Sequence, residues 1–111
     1  MTADARLARL VELAEMKRDA DLARLGSAAA ERAALRDRLD TLAAAARGPA
    51  PSDPALFAVR QRHLGWAEAQ RRTLNQKLAA TTANWMALRA EATRSFGRAA
   101  ALQALRKKLP K

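Results

Sequence analysis

Few residue types in this chain could carry out chemistry, and their spacing does not combine them into a catalytic group. His63 is the single histidine among 111 residues and there is no cysteine, so neither a Cys–His nucleophilic pair nor a metal site of cysteines or a second histidine can form around it. Carboxylates at helical spacing, Glu12 with Glu15 and Asp37 with Asp40, would bind a metal if four converged. Basic neighbours beside each pair indicate a charged helix surface instead. We therefore expect no enzyme activity and no cofactor.

Positive charge is concentrated in the second part of the chain. Residues 1–46 contain eight basic and eight acidic side chains, whereas residues 47–111 contain 13 basic and three acidic ones, which gives a net charge of +10. A net-positive surface of this kind attracts an anionic partner. An acidic protein is the favoured partner. Nucleic acid is a weaker candidate, because no stacking aromatics accompany the arginines and no helix-turn-helix or basic-zipper order is present.

Membrane insertion is not expected from this sequence. No apolar run approaches the roughly 18 residues that a transmembrane helix needs, and no apolar leader follows Met1. The lack of cysteine fits a reducing, intracellular compartment. We therefore expect a soluble, unprocessed chain.

Composition and periodicity predict an all-α protein. Alanine, leucine and arginine dominate, valine occurs twice, and isoleucine and tyrosine are absent. Alternating steps of four and three residues through the first half give one continuous 3.5-residue repeat, which is typical of a coiled-coil seam. Its members are Leu7, Val11, Ala14, Arg18, Asp21, Leu25, Ala28, Arg32, Leu35, Leu39, Leu42 and Ala46. The polar members help to fix the register, because a misaligned partner would bury them unpaired.

A proline-rich segment divides the chain into two helices. We expect helices over about 3–46 and about 54–108, a Gly/Pro linker over 47–53, and a single hairpin domain over 1–111. Asp53 is predicted to cap the second helix, with Pro54 in its first turn. The apolar positions of this helix are Leu56, Val59, His63, Trp66, Leu74, Leu78, Thr81, Trp85, Leu88, Ala92, Ala99, Leu102 and Leu109. The phase of the repeat changes after Trp66, and this change predicts a stutter in the coiled coil at that point.

Folding the chain back at the middle of the linker predicts how the helices pair. The paired positions are Leu39 with His63, Leu35 with Trp66, Ala28 with Leu74, Leu25 with Leu78 and Ala14 with Leu88. This register also sets Trp85 near Arg18 and Asp21, and it leaves residues 97–111 without a partner. The predicted fold is therefore an antiparallel two-helix coiled-coil hairpin with a C-terminal helical overhang.

Three segments of the chain are similar to a known family. They are the heptad start Leu7-Ala-Arg-Leu10-Val-Glu-Leu13, the segment Trp85-Met-Ala-Leu-Arg89-Ala-Glu-Ala, and the basic end Arg106-Lys-Lys-Leu109. In these segments and in its composition, the chain resembles the FliJ family, the small stalk proteins of the flagellar type III export apparatus, and their virulence-system relatives of the YscO type. The resemblance extends over nearly the whole chain.

The resemblance implies a non-enzymatic stalk whose basic open end enters the central pore of the hexameric export ATPase. It implies that the hairpin half contacts the membrane export gate, that the surface also holds export chaperones, and that the protein is cytoplasmic and peripheral to a membrane export complex. The residues expected to contact the ATPase are Arg94, Arg98, Arg106, Lys107 and Lys108. Those expected nearer a second partner are Trp66, Gln70 and Arg71.

Two other functions stay open at the level of the sequence. A basic hairpin could bind nucleic acid non-specifically, in which case binding should fall steeply with ionic strength on any duplex. A purely structural coiled-coil adaptor is the other alternative. The stalk, in contrast to a nucleic-acid binder, should need one specific protein partner.

Overall fold

The computed structural model of the protein describes residues 2–110 and contains, within that range, two α-helices and no strand. Helix α1 spans Ala3–Ala45 and helix α2 spans Pro54–Lys107, with residues 46–53 forming the loop between them. The helices pack antiparallel, so the predicted all-α hairpin is confirmed. The outermost residues of the predicted 1–111 domain, Met1 and Lys111, lie outside the described residues, and the prediction of one domain stays a prediction.

The hairpin divides into two compact units. Unit 1 consists of Met1–Ala29 and Asn84–Lys111, and unit 2 consists of Ala30–Ala83. Each unit contains a segment of α1 and a segment of α2 that pack against each other. The loop between the helices belongs to unit 2.

Short polar side chains begin both helices. The Thr2 hydroxyl accepts a hydrogen bond of 3.1 Å from the backbone N–H of Ala5, which caps α1. At the start of α2, Asp53 Oδ1 accepts a 2.8 Å hydrogen bond from the N–H of Ala55, and Pro54 is the first helical residue. The predicted cap of the second helix is thus confirmed, whereas the Thr2 cap was not foreseen from the sequence.

The seam of α1 follows the predicted 3.5-residue repeat. Every predicted position from Leu7 to Leu42 is buried or half-buried, and Ala46 alone of the set is exposed because it lies beyond the helix end. From Leu74 onward the predicted apolar positions of α2 are likewise buried or half-buried. Ser95, which the apolar pattern passed over, belongs to this seam and is only 3% exposed.

The predicted seam is wrong in the first part of α2. Leu56, Val59 and Trp66 are 58%, 57% and 54% exposed, and His63 is exposed as well. The buried side of the helix runs instead through less conspicuous residues in phase with Leu74: Arg60, Leu64 and Ala67. One 3.5-residue register therefore continues along α2, and the predicted stutter does not occur.

The pairing of the helices is shifted by about four turns of α2 from the predicted register. In unit 1 the carboxylate of Asp21 accepts a hydrogen bond from Ser95 rather than lying near Trp85, whose ring packs 5.5 Å from the guanidinium carbon of Arg89. In unit 2 Arg32 Nε donates a 3.0 Å hydrogen bond to Thr82 Oγ1. The prediction failed because it placed the fold point midway along the linker, as though neither helix continued past the other at the loop.

The predicted C-terminal overhang is also wrong. Gln103 Nε2 donates a 2.6 Å hydrogen bond to Glu15, and Arg106 Nε lies 3.5 Å from Asp4 Oδ1, so α2 is paired with α1 almost to its end. The extra length of α2 lies at the loop instead. In unit 2, Trp66 lies level with the last turns of α1, whereas α2 begins twelve residues earlier, at Pro54.

The loop returns along these first turns of α2 and is fastened to them by one arginine. The Arg60 guanidinium donates hydrogen bonds of 3.0–3.2 Å to the backbone carbonyls of Ala46, Gly48 and Pro49. Gly48 has a φ of +118°, a conformation that residues with a side chain rarely adopt. The glycine and the arginine together let the chain leave α1 and run back before α2 begins.

Candidate partner-binding surfaces

The basic cluster predicted to meet the ATPase lies at the end of α2 in unit 1. Arg106 and Lys107 form the last turn of the helix and Lys108 follows it in a turn, where cations interact favourably with the helix dipole. All three side chains are exposed. Arg106 is paired with Asp4, but neither lysine forms an ion pair with any carboxylate in residues 2–110.

Arg94 and Arg98, the other two predicted ATPase contacts, lie one turn apart on a single face of α2 and are exposed. Arg94 Nη2 lies 3.2 Å from Glu91 Oε1, so its charge is partly balanced. Within the described part of the chain, Arg98 has no such partner. The five predicted residues thus provide three cations without a carboxylate partner: Arg98, Lys107 and Lys108.

A cleft of about 960 Å³ lies where the two ends of the chain meet in unit 1. Its lining combines apolar side chains, Val11 and Leu109 among them, with Arg106 and Lys107 of the basic cluster. Asp4 and Glu15 also line it, but both carboxylates are already engaged, by Arg106 and by Gln103. The cleft therefore offers an apolar recess beside a basic edge.

The structure brings together Trp66 and Gln70, two of the three residues predicted near a second partner. Both line a groove of about 220 Å³ between the helices of unit 2. The remaining lining residues are Arg38, Thr41 and Leu42 from α1 and Leu74 from α2. Trp66 is exposed and its ring packs against the ring of His63, with 5.6 Å between centroids and a 31° tilt.

Arg71, the third of these residues, is turned to a neighbour on its own helix. Its guanidinium donates two hydrogen bonds, of 2.6 and 3.0 Å, to the two carboxylate oxygens of Glu68. These bonds lower the pKa of Glu68 and raise the pKa of Arg71, so both groups are held in their charged forms. An Arg71 that already has a bidentate partner is a poor candidate for a second one.

The carboxylate pair of Glu12 and Glu15 noted in the sequence has ordinary surroundings. Glu12 Oε2 lies 3.9 Å from Arg9 Nη1, and Glu15 Oε1 accepts the hydrogen bond from Gln103 Nε2. In residues 2–110, no three histidine or carboxylate side chains come close enough together to hold a metal ion. His63 is exposed, and the predicted position opposite Leu39 is wrong because the seam passes through Leu64 instead.

Sequence reasoning missed the exposure of Leu56 and Val59, and it missed Arg38, which lines the groove beside Trp66. The signal was available in the spacing, since Leu56, Val59, His63 and Trp66 repeat with the period of a seam but out of phase with Leu74. Two out-of-phase repeats on one helix indicate two contact faces, of which a single partner helix can cover one. The alternative interpretation, a stutter, assigned both to the same face.

Neither helix, over the residues that the structure describes, contains an apolar stretch long enough to cross a membrane. No protein-family model matches the sequence, and no curated protein or solved structure matches it either.

Proposed function

We propose that this protein is a non-enzymatic helical adaptor that binds other proteins, and that it serves as the stalk of a type III protein export apparatus. In this role the basic end of unit 1 enters the hexameric export ATPase, while unit 2 contacts the export gate around Trp66 and Gln70. Export chaperones would be further partners. The protein would work in the cytoplasm, peripheral to the membrane export complex.

The observation that supports this proposal best is the pair of lysines at the end of α2. Lys107 and Lys108 are exposed and have no carboxylate partner in residues 2–110, although Arg106 beside them is paired with Asp4. Cations without partners at the end of a helical pair suit insertion into a pore lined by acidic groups. Because exposed charges are screened by salt, such a contact is also weak enough to release.

ATPase stimulation tests the proposal. The double variant Lys107→Gln, Lys108→Gln removes two charges but leaves the ion pair between Arg106 and Asp4 in place. We expect it to stimulate the export ATPase of the same organism at least about tenfold less than the unaltered protein at equal concentration. Release of inorganic phosphate is the readout, and far-UV circular dichroism should show unchanged helix content.

The matched control removes two positive charges elsewhere on α2, through Arg72→Gln and Lys77→Gln, which lie in unit 2. This variant should stimulate the ATPase as the unaltered protein does. An equal loss of stimulation in both variants would mean that only the overall charge matters. Undiminished stimulation by the Lys107→Gln, Lys108→Gln variant would remove the ATPase assignment.

Non-specific binding of nucleic acid is the second candidate, favoured by Arg94 and Arg98 on one face of α2. Each phosphate that a protein neutralises on duplex DNA contributes about −0.9 to the slope of log affinity against log salt. A stalk should show no measurable binding to duplex DNA near physiological salt. Binding with a steep slope, weakened and made less dependent on salt by Arg94→Gln and Arg98→Gln, would favour the nucleic-acid function.

A further inference from the structure

The first turns of α2 carry a second seam that no part of this chain covers in residues 2–110. Leu56, Val59, His63 and Trp66 follow one another at steps of three, four and three residues, the spacing at which one helix packs along another. All four are exposed, three of them to more than half of their area. The intramolecular contact uses the adjacent face, through Leu64 and Ala67.

This second seam leads into a groove formed by both helices. Trp66 and Gln70 continue the repeat and, with Arg38, Thr41 and Leu42, line the groove between α2 and the last turns of α1. A third helix that lay along the seam would therefore contact α2 alone over its first turns and both helices of unit 2 beyond Trp66. The surface is long and narrow, as a helix requires.

The rim of this surface is cationic. Arg62 precedes His63 on the flank of the seam, and Arg38 lines the groove; both are exposed and unpaired with any carboxylate in the described residues. The neighbouring arginines are already engaged, since Arg60 binds the loop carbonyls and Arg71 binds Glu68. Arg62 and Arg38 are thus two unpaired cations beside the path of an incoming helix.

We infer that unit 2 docks an amphipathic helix of another protein, with apolar residues at alternating steps of three and four and carboxylates on its flank. Its apolar residues would cover Leu56, Val59 and Trp66, and its carboxylates would pair with Arg62 and Arg38. A second copy of this chain is the poorer occupant, because packing the two seams together would bring the arginine flanks of both copies into one interface. The inference rests on the adaptor part of the proposed function and is independent of the export ATPase.

A labelled model helix of about three heptads tests the inference directly. It carries leucine at the seam positions and glutamate at the flanking ones, which also prevents it from pairing with itself; a second peptide carries lysine in place of glutamate. Fluorescence anisotropy with the full-length protein measures affinity. We expect the glutamate peptide to bind, and the lysine peptide to bind at least about tenfold more weakly.

Substitutions locate the binding site. Leu56→Ala, Val59→Ala and Trp66→Ala together should weaken binding of the glutamate peptide at least about 30-fold, as loss of a central apolar cluster does. The matched control is Met86→Ala, Phe96→Ala and Leu105→Ala, three comparably exposed apolar residues in unit 1, and it should bind normally. Arg38→Gln with Arg62→Gln should weaken binding about threefold to tenfold and reduce its dependence on salt.

Three results would overturn the inference. They are equal affinity for the two peptides, no effect of the Leu56, Val59 and Trp66 substitutions, and a dimer in sedimentation analysis that those substitutions dissociate, which would make a second copy the occupant. Failure of this inference is distinguishable from failure of the proposed function. The peptide assay contains no ATPase, and the Lys107→Gln, Lys108→Gln variant used in the ATPase assay leaves unit 2 unaltered.

Discussion

Asp21 is the charged side chain most completely enclosed by the seam, with 3% of its area exposed. Its carboxylate accepts hydrogen bonds from the hydroxyl of Ser95, from Lys17 Nζ at 2.9 and 3.1 Å, and from Arg24 Nη2 at 3.1 Å. Burying a carboxylate is costly unless it is paired in this way. Because only one alignment of the helices brings Ser95 to Asp21, this network selects the register of unit 1.

Acid should weaken the fold through Asp21. The hydrogen bonds from Ser95 and Lys17 lower the pKa of this carboxyl below its ordinary value of 3.8, despite the opposing effect of burial. The folded protein therefore binds the proton less readily than the unfolded chain. The stabilisation is fully present above the ordinary value and is lost as the pH falls through the folded-state pKa.

Urea unfolding at about pH 7 and about pH 3 measures this linkage. We expect the free energy of unfolding to fall on acidification, and to fall less in Asp21→Asn, which has no proton to take up at this site. Glu68 acts with the same sign, so the difference between the two proteins isolates Asp21. Identical pH dependence in both would mean that Asp21 does not contribute.

At the scale of the helix, the observed seam of α2 makes Leu74 a core residue and Trp66 a surface residue. Leu74 is 2% exposed, so Leu74→Ala should destabilise the protein by about 2–5 kcal/mol. Trp66→Ala should cost less than about 1 kcal/mol, despite the larger side chain removed. Chemical unfolding of the two variants gives the comparison, and the reverse order of stability would contradict the observed seam.

Alanine should have opposite effects on stability at two glycines, Gly48 in the loop and Gly97 in α2. Nothing lies within 4 Å of a Cβ placed at Gly48, so Gly48→Ala should destabilise only through its positive φ, by about 1–3 kcal/mol. Gly97 also has open space around it but lies inside α2, where alanine is the better helix former. Gly97→Ala should therefore stabilise the protein by about 0.5–1 kcal/mol. Thermal unfolding of both variants checks the opposite signs.

Much of each helix could be predicted from the sequence, because local signals determine it. The 3.5-residue repeat of α1 gave its buried face from Leu7 to Leu42, and Asp53 with Pro54 located the start of α2. The first turns of α2 could not be assigned in this way. Leu56, Val59 and Trp66 form the exposed seam, while Arg60 and Ala67, which no hydrophobicity pattern selects, face the loop or α1.

At the scale of the whole hairpin, the register was not predictable from periodicity. A seam that repeats every 3.5 residues fits its partner equally well after a shift of whole heptads, so the choice depends on particular polar pairs. Asp21 with Ser95 and Arg32 with Thr82 make that choice here. In the candidate site, the exposure of the terminal lysines could be predicted from their charge alone. The groove beside Trp66 could not be predicted without the register of the two helices.

Cross-linking tests this register, and the chain contains no cysteine to interfere. Asp21→Cys with Ser95→Cys should form a disulfide on mild oxidation, because two short side chains already touch there and a disulfide needs Cα atoms within about 7 Å. Asp21→Cys with Trp85→Cys is the control, since Trp85 lies about 15 Å from Ser95 along α2. Mass spectrometry of cysteine-containing peptides distinguishes the pairs, and bridging of the control pair alone would restore the register predicted from the sequence.

The two tryptophans of the chain fall in different units, Trp66 in unit 2 and Trp85 in unit 1. Each unit therefore has its own intrinsic fluorophore, and replacing either indole with phenylalanine leaves a protein whose emission reports on one unit alone. Melting curves of the two single-tryptophan proteins would coincide if the hairpin unfolds as one cooperative body, and would separate if one unit opens before the other. The placement of two side chains thus makes the cooperativity of this fold directly measurable by optical means.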